Sequence, residues 1–136
     1  KAPSSTNFLI YWDGDTSREL LNSNYIDKYN SGRLFTAEGA VSNNGTKSTP
    51  ALSADILGDW REELILRSED NKELRIYSTI IPTNVKQYTL MHDPQYRLSV
   101  AWQNVGYNQP PHTSFYMGKE MKQAPKPNIV LLPQKR

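Results

Sequence analysis

Cysteine is absent from all 136 residues, which excludes disulfide staples, thiol nucleophiles and thiolate metal ligands while leaving the compartment open. No apolar run approaches the roughly 20 residues a membrane-crossing helix needs, and no secretory leader is recognisable. Histidine occurs only twice, as His92 and His112. No Gly-x-Ser-x-Gly elbow supplies a serine for His92-Asp93 or His112 to activate, so both histidines read as hydrogen-bonding residues rather than as a catalytic or metal pair. Excess charge of one sign is also missing: 16 Lys and Arg against 14 Asp and Glu leave a formal net charge of +2. Much of that excess lies in the C-terminal tail, where Lys119, Lys122, Lys126, Lys135 and Arg136 fall among Pro125, Pro127 and Pro133. Such a tail reads as a solvated, extended end, and no nucleic acid or membrane partner is expected.

What the chain does contain is a repeat. Asp13-Gly14-Asp15 followed by Glu19, and Asp55-x-x-Gly58-Asp59 followed by Glu63, align on their last acids at an offset of 63 − 19 = 44 residues. Gly14 then matches Gly58, Asp15 matches Asp59, and the apolar pair Leu20-Leu21 matches Leu64-Ile65. A period in the low forties is that of one blade of a four-stranded β-propeller, and acids so spaced can gather oxygens around a hard cation such as Ca²⁺. Each loop is one carboxylate short of a full set: Tyr11 stands where the first loop would have its leading acid, and Leu57 where the second would have its middle one. The wider spread of Asp55, Asp59 and Glu63 favours the second loop over Asp13, Asp15 and Glu19 as the metal site.

The fold class expected is all-β: a partial β-propeller of roughly three blades, since the length holds about three such periods. Closed propellers need about four to eight blades, and open sheet edges are rarely left bare. The chain is therefore expected to be a segment of a larger enzyme or one partner in an assembly, a reading with which its start at Lys1 without an initiator methionine accords. Strands are expected at Phe8–Trp12, Glu63–Leu66, Leu74–Thr79 and, from its alternation, Leu98–Trp102, with a hairpin turn over Ser68–Lys72. The repeat register argues for strand over helix across Glu19–Tyr29. Units end near Gly39 and Met91, an irregular third reaches Gly118, and the propeller region 1–118 precedes the basic tail 119–136.

Two further stretches carry chemistry. In Asn43-Asn44-Gly45-Thr46-Lys47, the Asn-Gly turn exposes backbone N–H groups, Thr46 offers a hydroxyl and Lys47 a cation that can neutralise a carboxylate or, desolvated, act as a base. A plain surface turn, or an N-glycosylation acceptor at Asn44-Gly45-Thr46, has the same composition. Trp102 to His112, with Gln103, Asn104, Tyr107, Asn108 and Gln109 among them, is dense in amides and aromatics. Aromatic faces stacking on sugar C–H surfaces, with amides fixing hydroxyls, are apparatus for carbohydrate binding; an amide-pinned structural loop would look alike.

These strings together resemble a known family. Phe8 and Tyr11-Trp12-Asp13-Gly14-Asp15, then Asn43 to Lys47, Ala54-Asp55-Ile56-Leu57-Gly58-Asp59-Trp60-Arg61-Glu62-Glu63, Tyr88-Thr89-Leu90-Met91-His92-Asp93-Pro94, and Ala101-Trp102-Gln103-Asn104 through Tyr107-Asn108-Gln109-Pro110-Pro111-His112 are similar to the C-terminal part of the rhamnogalacturonan lyases of polysaccharide lyase family 11, up to about Pro127. The resemblance implies an eight-bladed, calcium-rich β-propeller that cleaves the rhamnose–galacturonate backbone of pectin by β-elimination, in a bacterial enzyme that is secreted or periplasmic. It implies a rhamnogalacturonan I oligosaccharide as ligand and the remaining blades, or another copy of the chain, as partners. Asn44, Gly45, Thr46, Asn104, Tyr107 and Asn108 are then expected to contact sugar, with Lys47 as catalytic cation or base and calcium as cofactor. A carbohydrate-binding propeller segment without catalysis is the alternative; it would keep the aromatics and amides and have no need of Lys47.

Overall fold

The structure, a computed structural model, describes residues 2–3 and 5–133; Lys1 and Ser4, and Lys135 and Arg136 of the basic tail, lie outside the described residues. Its regular structure is mostly β. Strands β1 (Phe8–Ile10), β2 (Glu19–Asn22), β3 (Tyr25–Lys28) and β4 (Gly32–Thr36) form one antiparallel sheet in sequence order. In the second sheet β7 (Glu63–Ser68) is central, with β5 (Ala40–Val41) and β6 (Leu52–Ala54) along one side and β8 (Leu74–Tyr77) on the other. The 44-residue repeat is also a repeat of register. Phe8 faces Leu21 and Ile10 faces Glu19, just as Leu52 faces Ile65 and Ala54 faces Glu63. The hairpin that follows breaks the period, because Asn22 pairs directly with Tyr25 whereas Arg67 pairs with Leu74 across a longer polar turn.

Period-2 alternation sends one face of each sheet into a shared core. Phe8, Ile10, Leu21 and Ile26 from the first sheet bury against Ala40, Leu64 and Leu66 from the second, with Trp12 and Ala37 between them. Phe35 joins the two sheets through aromatic contacts, its ring centroid 5.2 Å from Trp12 and 5.3 Å from Tyr77. The turn before each acidic strand depends on glycine. Gly14 and Gly58 hold φ of +92° and +78°, values that L residues adopt at a cost. A Cβ at Gly14 would also lie 2.7 Å from the Thr83 side chain.

The expected third blade does not form as a sheet: among the described residues after Tyr77 there is no strand, only a 3₁₀ turn at Leu90–His92 and helix α1 at Pro94–Trp102. The strand expected over Leu98–Trp102 is therefore helix. Asp93 caps it, its side chain accepting from Gln95 N at 3.1 Å, and Pro94 occupies the first turn, where a missing N–H costs nothing. Tyr96, Ser99, Val100 and Gln103 form the inner face at helical spacing, and Leu98 and Trp102 face outward. Tyr96 packs with Tyr11, Trp60 and Leu90 in a second core that fixes α1 across the loop ends of the sheets.

Candidate active site

The two chemically marked stretches meet. Asn43, Asn44, Thr46 and Lys47 line one side of an open cavity of about 420 Å³, and Asn104, Gly106, Tyr107 and Asn108 line the other. The loops are held by amides turned onto backbone. Gln103, buried at the end of α1, grips Ser53 on β6 from both sides, accepting from its N–H at 3.0 Å and donating to its carbonyl at 2.7 Å. Asn104 Nδ2 donates to the Ala51 carbonyl at 2.5 Å and Asn108 Nδ2 to the Pro50 carbonyl at 2.9 Å. Asn104 Oδ1 then accepts from Asn43 Nδ2 at 3.0 Å, tying one loop to the other. Within the first loop, Asn44 Oδ1 caps Lys47 N at 2.8 Å and its Nδ2 reaches Thr49 at 2.7 Å.

This scaffold leaves a distinct set of groups free. Lys47 has no carboxylate partner among the described residues; its ammonium instead lies 5.3 Å from the centroid of Tyr107, a ring 76% exposed. Buried Asn108 keeps an Oδ1 that accepts no hydrogen bond. Asn104 and Asn108 thus serve as pins of the loop they sit on. Trp102 points outward at the helix end and is not among the residues lining the cavity. Gly45, at the turn, has no atom within 4 Å of where a Cβ would stand.

The acidic loops differ from one another. Asp13, Asp15 and Glu19 bring oxygens within 4.8 Å of each other, the only such group of three among the described residues and one with the reach to hold an ion. The ammonium of Lys28 already sits among them, touching Asp13, 2.6 Å from Asp15 and 3.7 Å from Glu19. Burial pushes the Glu19 carboxyl up to about 7, against the backbone N–H of Trp12 that it accepts. Asp15 is held below the usual carboxylate range: its burial acts upward and is outweighed by the hydrogen bonds from Lys28 and Ser17.

In the second loop, expected to be the better metal site, the acids turn to separate partners. Asp55 Oδ2 accepts from the Thr89 hydroxyl and Leu90 N, each at 2.7 Å. Asp59 pairs with Arg61 at 2.6 Å, and Glu63 caps Ile56 N and Leu57 N at 2.8 and 2.9 Å. As arranged, neither set fits a Ca²⁺, which takes about six to eight oxygens: one is closed by an ammonium and the other is dispersed.

Sequence reasoning missed a buried polar chain behind these loops. Glu62, fully buried, accepts from Tyr11 N at 2.9 Å and the Tyr96 hydroxyl at 2.8 Å, and Arg18 approaches it at 3.8 Å. Arg18 also lies 4.4 Å over the Tyr11 ring and donates to the Pro111 carbonyl. Burial raises the Glu62 carboxyl, with Arg18 opposing. His92 stacks on Phe115 while His112 sits beside Arg18, so each histidine has its own structural partners. No signal short of the three-dimensional fold joins residues this far apart in the chain.

A lysine without a carboxylate partner among the described residues, an exposed aromatic ring and amides pinned to backbone thus share one open cavity. The sequence profile of rhamnogalacturonan lyase family 11, C-terminal domain, matches residues 1–127, and the chain belongs to that family. It is 61% identical to the rhamnogalacturonan endolyase YesW of Bacillus subtilis (strain 168), over 93% of this chain and 21% of the relative. It is 52% identical to the rhamnogalacturonan exolyase YesX of the same organism, over 96% of this chain and 24% of the relative. The solved rhamnogalacturonan lyase PL11 of Bacillus licheniformis superposes with a TM-score of 0.91 at 61% identity, covering 96% of this chain and 23% of that one. The chain thus spans between a fifth and a quarter of the length of the relatives it matches.

Proposed function

We propose that this chain is the C-terminal part of a rhamnogalacturonan lyase and contributes the Asn44–Lys47 and Asn104–Asn108 loops to its substrate cleft. The observation that carries the reading is the Lys47 ammonium, left without a carboxylate partner among the described residues at the mouth of a cavity lined by Asn44, Thr46, Asn104, Tyr107 and Asn108. β-Elimination on a galacturonate removes the C5 proton, forms the C4–C5 double bond and breaks the C4–O4 bond, whose electron pair leaves with O4. Negative charge builds on the C6 carboxylate as the proton departs. A cation placed there stabilises it, and in a partly desolvated cleft the effect is larger than in water. Lys47 can supply that charge, or in its neutral form accept the C5 proton. Tyr107 offers an exposed face for a sugar ring.

The substrate assigned is the rhamnose–galacturonate backbone of rhamnogalacturonan I, and the whole protein is placed outside the cytoplasm, secreted or periplasmic in a bacterium, where a pectic polymer is met. The reading as part of an eight-bladed propeller follows from the family resemblance and is supported by the register that the β1–β2 and β6–β7 pairs share. No step here depends on calcium. The test is the full-length protein on rhamnogalacturonan, followed by the absorbance of unsaturated uronate. Accumulating absorbance is expected; binding of the polymer with no absorbance would replace the lyase reading with that of a carbohydrate-binding segment.

A further inference from the structure

The two acidic loops repeat in sequence, yet the strand that faces them does not. In the first sheet Leu20 pairs with Asp27, which sets Glu19 opposite Lys28 at the next position along the antiparallel ladder. In the second sheet Leu64 pairs with Tyr77, which sets Glu63 opposite Ser78, and the Ser78 hydroxyl donates to Glu63 Oε1 at 3.3 Å. The same place in the sheet therefore holds a cation in one repeat and a hydroxyl in the other.

We propose that Lys28 is a resident cation of the first loop and that Asp13, Asp15 and Glu19 bind no metal ion. The carboxylate oxygens divide evenly. One oxygen of each acid faces the ammonium: Asp13 Oδ2, Asp15 Oδ2 at 2.6 Å and Glu19 Oε1 at 3.7 Å. The other oxygen of each is taken by backbone. Asp13 Oδ1 accepts from Asp15 N at 3.1 Å, Asp15 Oδ1 from Ser17 N at 2.6 Å, and Glu19 Oε2 from Trp12 N and Asp13 N at 2.8 and 3.2 Å. The ammonium donates to Asp13 and Asp15 and stands as an ion-pair partner to Glu19. A calcium ion would find three oxygens facing the same point, about half the number it takes, and would have to expel a lysine tethered on the adjacent strand, whose effective concentration is fixed by the fold. The metal-like spacing of Asp13, Asp15 and Glu19 is thus the imprint of a cation site filled by the chain itself.

The experiment uses the full-length protein, freed of metal and dialysed against Ca²⁺, and counts bound ions in the parent and in Asp15→Asn. Equal counts are expected; loss of one ion in Asp15→Asn would overturn the proposal, because it would show the loop holding a metal despite Lys28. Melting of Lys28→Met in a chelator supplies a second readout. A Tm several degrees below the parent's is expected, since three carboxylates are left facing one another, and a Tm equal to the parent's would overturn the role of Lys28 as their counter-charge. Should Lys28→Met fail to fold, the ion count of Asp15→Asn decides alone. Neither readout involves lyase activity.

Discussion

Asn104 does two jobs at once, accepting from Asn43 and donating to the Ala51 carbonyl. Asn104→Ala removes both bonds, at a cost in stability of about 1–3 kcal/mol by typical net values, and frees the Lys47 loop to move. Its expected signature in the full-length enzyme is a raised KM together with a lowered melting temperature; kinetics and calorimetry on one preparation check both. Glu19 carries a pH dependence. With its carboxyl raised from 4.5 to about 7, the folded protein keeps a proton there that the unfolded chain has released, so this group's contribution to stability declines as pH rises from 4.5 to 7 and is level above. Glu19→Gln should flatten the slope of Tm against pH over that window, and an unchanged slope would contradict the assignment. Lys47 and its amide neighbours were legible in the sequence because short loops carry them contiguously. Lys28 and the Arg18–Glu62 contact were not, because the first depends on hairpin register and the second on contacts across 44 residues (62 − 18).

Among the elements, β1, β2 and β7 were legible in the sequence, whereas β6, a three-residue strand, was not, and the register it shares with β1 shows only in the ladders. Nor was helix α1 legible. Its residues Leu98, Val100 and Trp102 alternate like a strand, but the stronger signal is local: an Asp93-Pro94 start followed by Tyr96, Ser99, Val100 and Gln103 at helical spacing. Asp93 is also a tie beyond the helix, since its Oδ2 accepts from Ser114 N at 2.5 Å. Asp93→Ala should therefore cost at least the ~1 kcal/mol typical of a lost cap, and Asp93→Asn less, since an asparagine caps nearly as well. Urea unfolding of the two variants tests the order; equal losses would mean that the cap contributes nothing.

At the scale of the whole molecule the chain displays surface that a larger body would cover. Leu74 and Ile76 on β8 are 70% and 61% exposed, and the run Ile129-Val130-Leu131-Leu132 is exposed throughout. Expressed alone, the chain should self-associate through such edges, and sedimentation showing a stable monomer would argue against it. It should also fail to cleave rhamnogalacturonan by itself, because the chain spans less than a quarter of the length of the lyases it matches. The most direct test is Lys47→Ala in the full-length enzyme, with turnover read from unsaturated uronate and folding from the melting temperature. An exposed lysine with no ion-pair partner contributes little to stability, about ±0.5 kcal/mol, so the melting temperature should hold. Turnover should fall by about 10²- to 10⁴-fold, the range of a lost general acid–base group. Lys47→Ala with parental turnover would contradict the account and return the Asn44–Lys47 loop to an ordinary surface turn.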